Sequence, residues 1–234
     1  MIDIHCHILP GIDDGPSDIK ESVEMAKIAA LDGIIKIVAT PHIKDTLHPK
    51  SAIAKIVKLL NNNLAEIGIP VEIIQGADVN AMLDSSLLDG YTINDTGYIL
   101  IEFPHSHLPK NSKDIIFKMM IRGYHPIITH PERNLSVIKN PKLLFELLDT
   151  GLLVQITADS LTGYFGMDVK ECAVYILEKG AVSFIASDAH SVTERRPILS
   201  GGLKVAEKII GKEKAASMVT SNPMAVITGN PLNV

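Results

Sequence analysis

The sequence predicts a parallel α/β barrel, a distorted seven-stranded (β/α)7 arrangement of TIM-like type, and three observations carry that prediction. Apolar, β-branched runs alternate seven times with segments of helical periodicity. The length of 234 residues and the 46% hydrophobic content suit one α/β domain spanning 1–234. Six of the seven runs end in His, Asp or Glu, and in a parallel barrel all strand C-termini open on one face. A doubly wound open sheet is the competing arrangement. It lacks support, because no Gly-x-Gly-x-x-Gly follows the first strand and no P-loop occurs.

The first strand is Ile2-Asp3-Ile4-His5-Cys6-His7, whose period of two places His5 and His7 on one face and Cys6 on the other. Ser17 reads as an N-cap, with Ile19, Val23, Ala26 and Ala29 at helical spacing and Gly33 as the stop. The second strand is Ile34 to Thr40, ending in Pro41-His42, and a helix returns over 51–67. Val71 to Gln75 is the third strand, ending in Gly76-Ala77-Asp78, and a short helix is expected near Met82 to Leu88. Tyr98 to Ile101 leads into Glu102-Phe103, a helix covers 113–122, and Pro126 to Thr129 leads into His130-Pro131-Glu132-Arg133. A helix at 143–148, a strand at 152–156, a helix at 169–179 and a strand at 182–186 follow, the last ending in Ser187-Asp188-Ala189-His190. Helices at 203–210 and 214–219 precede a C-terminal segment at Asn222-Pro223.

Composition narrows the function. A net charge of −5 without a basic block argues against nucleic acid as a partner. Two cysteines cannot make a disulfide framework and point to a reducing compartment. No apolar run approaches the roughly 20 residues of a membrane span, and the N-terminus does not read as a signal peptide. The expectation is a cytoplasmic protein.

Counting Asp14, nine side chains are expected to converge at the strand ends: His5, His7, Asp14, His42, Asp78, Glu102, His130, Asp188 and His190. Imidazole and carboxylate without thiolate suit Zn, Mn or Fe. Nine donors exceed one ion, so two or three divalent ions sharing a carboxylate are expected. Clustered ions make hydroxide from water near neutral pH and clamp both oxygens of an in-line displacement. That chemistry is hydrolysis, most naturally of a phosphate ester. Phosphate also needs fixed positive charge, and Arg133, Arg195 and Arg196 follow the fifth and seventh strands closely. Cysteine chemistry is excluded, since the arginine required six residues beyond Cys6 or Cys172 is Ile12 or Glu178. His48, His105, His107 and His125 are expected in loops or behind the ligands. His105, His107, Tyr164 and Phe165 belong near the mouth.

His5-x-His7, Asp13-Asp14-Gly15-Pro16, Thr40-Pro41-His42, Ile101-Glu102-Phe103, His130-Pro131-Glu132-Arg133 and Ser187-Asp188-Ala189-His190 resemble the PHP (polymerase and histidinol phosphatase) superfamily. The resemblance runs end to end and is greatest to its bacterial tyrosine-protein phosphatases of capsule and exopolysaccharide synthesis. It implies the PHP fold with three metals, manganese or iron. His5, His7 and Asp188 would hold the first with a third-strand carboxylate, which Glu102 and His130 would share at the second. Asp14, His42 and His190 would hold the third. Arg133 and Arg195 would bind the phosphate, Arg195 being preferred to Arg196. The implied substrate is phosphotyrosine on a partner bacterial tyrosine kinase, attacked directly by a metal-bridging hydroxide while Asp14, Asp13 or a nearby His assists the leaving phenolate. One departure stands out: the family's Gly-Ala-Glu is Gly76-Ala77-Asp78 here, one methylene shorter. The rivals are a small-molecule phosphatase such as a histidinol-phosphatase, an amidohydrolase-like enzyme, for which no strand ends in a suitable lysine, and a non-enzymatic binding protein.

Overall fold

The computed structural model describes residues 1–44 and 46–232. Strands and helices alternate as the sequence requires, with every strand pairing parallel. β1 (Ile2–Cys6) is buried along its whole length. The second apolar run is divided into β2 (Lys36–Ala39) and β3 (His42–Ile43), and the third into β4 (Glu72–Gln75) and β5 (Asp78–Asn80). β6 (Tyr98–Glu102), β7 (His125–Thr129), β8 (Leu153–Thr157) and β9 (Phe184–Ala186) complete the set. They form a three-stranded sheet, β1-β2-β4, and a six-stranded one, β3-β5-β6-β7-β8-β9.

Nine strands in two sheets therefore stand where seven were expected. Pro41 has no N–H to give to a ladder, and it falls where β2 ends and β3 begins. The two divided runs still travel side by side, since Gly76 N donates to Ala39 O at 3.0 Å and Asp78 N to Pro41 O at 3.1 Å. At the other edge His7 N donates to Ala189 O and Asp188 N to His5 O, each at 2.8 Å. These bonds bring the ends of β1 and β9 together and with them the His5/His7 and Asp188/His190 motifs.

The helices are α1 (Ile19–Leu31), α2 (Lys50–Glu66), α3 (Ser112–Ile121), α4 (Leu135–Lys139), α5 (Lys142–Leu148), α6 (Ala158–Thr162), α7 (Met167–Glu178), α8 (Ser200–Ile210), α9 (Lys212–Ser217) and α10 (Ser221–Thr228). α2 buries Ile53, Val57, Leu60 and Leu64, one apolar stripe at helical spacing. Asp18, not Ser17, caps α1, accepting from Lys20 N and Glu21 N. Ser17 instead donates its N–H to Glu21. The helix expected near Met82 to Leu88 is reduced to one 3₁₀ turn, Ser85–Leu87. α4, α6 and α10 were not anticipated, being at most eight residues long.

The smaller of two hydrophobic clusters takes Ile2 and Ile4 from β1, Val38 from β2, Ile74 from β4, Leu100 from β6, Ile127 from β7 and Phe184 from β9, with α10 closing on Val226 and Ile227. The larger packs strands against the other helices. Cys6 belongs to this larger cluster although Ile4, two residues earlier, belongs to the smaller. The β1–β2 register shifts between Asp3 and Cys6, and such an irregularity re-aims the side chains beyond it. Here it sends Cys6 into the helix-facing core.

Candidate metal centre

The strand ends and the loops after them bring all nine candidate donors together. His7, Asp14, His42 and His190 offer atoms that lie within 4.8 Å of one another, and so do His5, His7 and Asp78, as well as His5, His130 and Asp188. Two further groups are His42, Asp78 and Glu102, and Glu102, His105 and His130. His105 was placed by sequence in a loop or behind the ligands, near the mouth, and its Nε2 stands 3.5 Å from Glu102 Oε1. Its ring stacks on that of His130 at 5.4 Å. Its position three residues past Glu102 in a loop carried no periodic signal. Asp78 is grouped with His5, His7, His42 and Glu102 but not with His130.

The separations suit ligands of shared cations better than hydrogen bonds. His5 Nε2 lies 3.4 Å from Asp188 Oδ1 and 3.8 Å from Asp78 Oδ2. His7 Nε2 lies 3.5 Å from Asp188 Oδ1, and His190 Nε2 3.5 Å from Asp14 Oδ1. Donors about 2.1 Å from one ion stand roughly 3.0–3.5 Å apart. Both oxygens of Asp78 are buried without a hydrogen-bond partner among the described residues, an arrangement that is costly unless a cation faces them.

Outer partners fix the imidazoles. His5 Nδ1 meets Gln155 Oε1 at 2.8 Å, and His7 Nδ1 donates to Asp13 Oδ2 at 2.7 Å. His190 Nδ1 donates to the Asp188 carbonyl at 3.0 Å. With its Nδ1 hydrogen committed, neutral His5 turns a bare Nε2 lone pair toward His7 Nε2 at 3.2 Å and toward carboxylate oxygens. A proton on His7 Nε2 or a metal ion in its place relieves this crowding of acceptors. Gln155 and Asp13 were not assigned this positioning role by sequence. The signal for Gln155 was a polar residue inside an apolar strand.

Charge follows from this packing. Burial disfavours the charged form of His7, but its hydrogen bond to Asp13 and the nearby Asp188 carboxylate outweigh it and lift the group to about 10, so that without a bound cation the ring carries the extra proton. Burial holds His5 down and His130 well down, against the attraction of Asp188. Burial together with the Asp78 charge pushes Glu102 up to about 7. Asp188 is held well below the carboxylate range, since burial is outweighed by His5, His7, His130 and Arg195. Asp188 and His130 also adopt left-handed backbone angles, φ 51° and 34°, a conformation rare outside glycine that gathers at functional sites.

Arg133 Nη1 and Arg195 Nη2 both donate to Asp188 Oδ2. Arg195 also closes its own loop, its carbonyl accepting from His190 N and Ser191 N. Arg196 is exposed and is not brought to Asp188. The mouth holds two open hollows meeting at His42 and Lys44, of about 230 Å³ beside Asp13 and Asp14 and about 210 Å³ beside Glu102 and His105. Cys6 and Cys172 are buried and free. Burial raises both thiols, Cys172 to about 12.

A family model for capsular polysaccharide synthesis, CpsB/CapC, matches residues 1–228. The tyrosine-protein phosphatase YwqE of Bacillus subtilis (strain 168) is 39% identical over 228 residues, covering 95% of this chain and 89% of its own. The tyrosine-protein phosphatase CpsB of Streptococcus pneumoniae is 29% identical over 238 residues, covering 97% of this chain and 98% of its own. Among solved structures, one chain aligns with a TM-score of 0.93 and 37% identity, over 99% of this chain and 96% of that one. It comes from the crystal structures of YwqE from Bacillus subtilis and CpsB from Streptococcus pneumoniae, described as unique metal-dependent tyrosine phosphatases.

Proposed function

The chain belongs to the capsular polysaccharide synthesis family CpsB/CapC, and from that premise we propose how it works as a metal-dependent tyrosine-protein phosphatase. The observation that carries the reading is the pair of guanidiniums on Asp188, set at the edge of a donor cluster that opens into a shallow mouth. An open mouth suits a tyrosine on a protein better than a small metabolite held in a closed pocket.

We read the two sheets as one distorted barrel of seven strand paths and residues 1–234 as a single domain. His5, His7, Asp78 and Asp188 would hold one divalent ion, Glu102 and His130 a second, and Asp14, His42 and His190 a third, manganese being the preferred metal. Ions bound there supply Lewis acidity and activate water near neutral pH. Arg133 and Arg195 bind and orient the phosphoryl oxygens, turning from Asp188 to the substrate. Arg196, exposed beside them, serves at most the rim. Asp13 keeps the His7 tautomer that leaves Nε2 free. Its oxygens are already committed, Oδ1 to Gly15 N and Oδ2 to His7 and His42 N. Asp14 turns one oxygen, Oδ1, to the His42 and His190 side where the third ion would sit, and on a side chain 61% exposed its other oxygen is the one placed to handle a proton at the leaving group. A phenol of pKa about 10 leaves more readily than an alkyl alcohol and asks little of that acid. The partner is assigned as an autophosphorylated bacterial tyrosine kinase in the cytoplasm. Among the described residues no helix is long and apolar enough to cross a membrane.

The test is phosphate release from a phosphotyrosine peptide and from histidinol phosphate, with and without Mn²⁺, alongside metal analysis and an Arg133→Ala variant. Metal-dependent turnover of the peptide, reduced at least 100-fold in the variant, is the expected result. Preference for histidinol phosphate would assign the site to a small molecule, and no turnover at full metal occupancy would refute catalysis.

A further inference from the structure

Beside Arg133 lies a feature that phosphate chemistry does not require. Gly163-Tyr164-Phe165-Gly166 forms a tight turn between α6 and α7, closed by Gly166 N donating to Gly163 O at 3.1 Å. Both glycines have left-handed angles, φ 94° and 97°, which residues with a Cβ seldom adopt. The turn is also tied back to α6, since Tyr164 N donates to Asp159 O at 3.1 Å. Two consecutive aromatics are thus held at a bend with no helix or strand to absorb them.

Their rings divide the work between them. The Arg133 guanidinium carbon stands over the Phe165 ring, 4.5 Å from its centroid. The Tyr164 ring meets Phe165 edge to face, at 5.1 Å and 88°. Tyr164 remains 53% exposed. Tyr164 is thus a half-exposed aromatic joined through Phe165 to an arginine that reaches the cluster, and its apolar body and polar tip suit a binding surface.

Resting on the phosphatase reading, we propose that Tyr164 and Phe165 are the specificity wall of the site. Phe165 positions Arg133 by packing against its face, and Tyr164 receives the phenyl ring of the phosphotyrosine whose phosphoryl group Arg133 and Arg195 hold. Aliphatic phosphoesters gain nothing from such a wall, so it separates phosphotyrosine from phosphoserine by ring contact. A single edge-to-face or offset contact changes affinity roughly 3- to 10-fold.

The experiment measures inhibition of the metal-loaded enzyme by phenylphosphonate and by methylphosphonate, which share the phosphonate and differ only in the ring. Peptide hydrolysis serves as the readout for the parent, Tyr164→Ala and Tyr164→Phe. The preference for phenylphosphonate should fall about 3- to 10-fold in Tyr164→Ala and be restored in Tyr164→Phe. An unchanged preference in Tyr164→Ala, or one lost equally in Tyr164→Phe, overturns the wall. A parent that does not hydrolyse the phosphotyrosine peptide overturns the phosphatase reading instead, and the wall that rests on it. Because Tyr164 is half exposed, its truncation leaves the core intact.

Discussion

Glu132 offers a sharp test of how the corner beside Arg133 is built. Its side chain is fully buried, and Oε1 accepts from Thr157 N at 2.9 Å and from Ser160 Oγ at 2.7 Å. Thr157 is the N-cap of α6, and its own hydroxyl makes no capping bond. Glu132 therefore caps α6 from another segment, one residue from Arg133. Glu132→Ala strands two buried donors at about 1–3 kcal/mol each, a total of roughly 4 kcal/mol. For a chain of this size that lowers the melting temperature by roughly 8–16 °C. Glu132→Gln keeps an acceptor at Oε1 and should cost about 1 kcal/mol. Calorimetry of the metal-loaded variants measures both, and the KM for a phosphotyrosine peptide should rise in the alanine variant as α6 and Arg133 lose their shared anchor. The reasoning is refuted if Glu132→Ala melts within about 2 °C of the parent, or if the glutamine variant is damaged as badly.

Three other outcomes follow from the same structure. An ion present at about 100 times its dissociation constant stabilises by about 2.7 kcal/mol, so chelation with EDTA should lower the melting temperature by roughly 5–10 °C; in Asp78→Asn, where the orphaned carboxylate is gone, that drop should shrink. Iodoacetamide at pH 8 should leave turnover intact while EDTA abolishes it, since burial raises the Cys172 thiol to about 12 and the Cys6 thiol well above its ordinary value; parallel loss under alkylation would contradict a cysteine-free reaction. Tyr124 is raised from 10.0 to about 12 by burial and by its hydrogen bond to Asp89, so that bond's stabilisation is complete below pH 10 and lost as pH climbs toward 12; phenolate absorbance should show a late-titrating component, to which burial of Tyr91 also contributes, that shrinks in Tyr124→Phe.

The strand ends were legible because parallel topology turns a one-dimensional pattern into a three-dimensional meeting. A polar residue that closes an apolar run must lie at the C-terminal rim whatever the strand order, so His42, Glu102 and His130 could be placed together without a contact map. What sits behind that rim was not legible. Gln155 is one polar position within β8, and only the distance to His5 Nδ1 reveals its task. Asp13 could be read from its motif only as a rival to Asp14 at the leaving group, because its inward turn to His7 leaves no mark in the sequence. The division of the second and third runs followed from Pro41 and the Gly76-Ala77 step, local events that hydropathy does not register. α10 was missed for a different reason: Val226 and Ile227 complete the smaller cluster, so tertiary burial, not helical periodicity over eight residues, holds it in place.

The site's own packing explains why its residues could be recognised against the rest of the chain. Six imidazoles are crowded together, His105 among them, with the His7 ring centroid 3.9 Å from that of His190 and 4.4 Å from that of His42. Four carboxylates, Asp14, Asp78, Glu102 and Asp188, point into the same volume. Protonating every imidazole would bring like charges together, and leaving them neutral sets lone pairs against carboxylate oxygens. Proton distribution alone serves neither arrangement well, and burial removes the water that would soften both. Sequences that specify a fold avoid such conflicts, and natural chains retain them where function compensates. Bound cations would resolve the conflict in one step, and the residues that break the folding rules here are the ones we propose carry the chemistry.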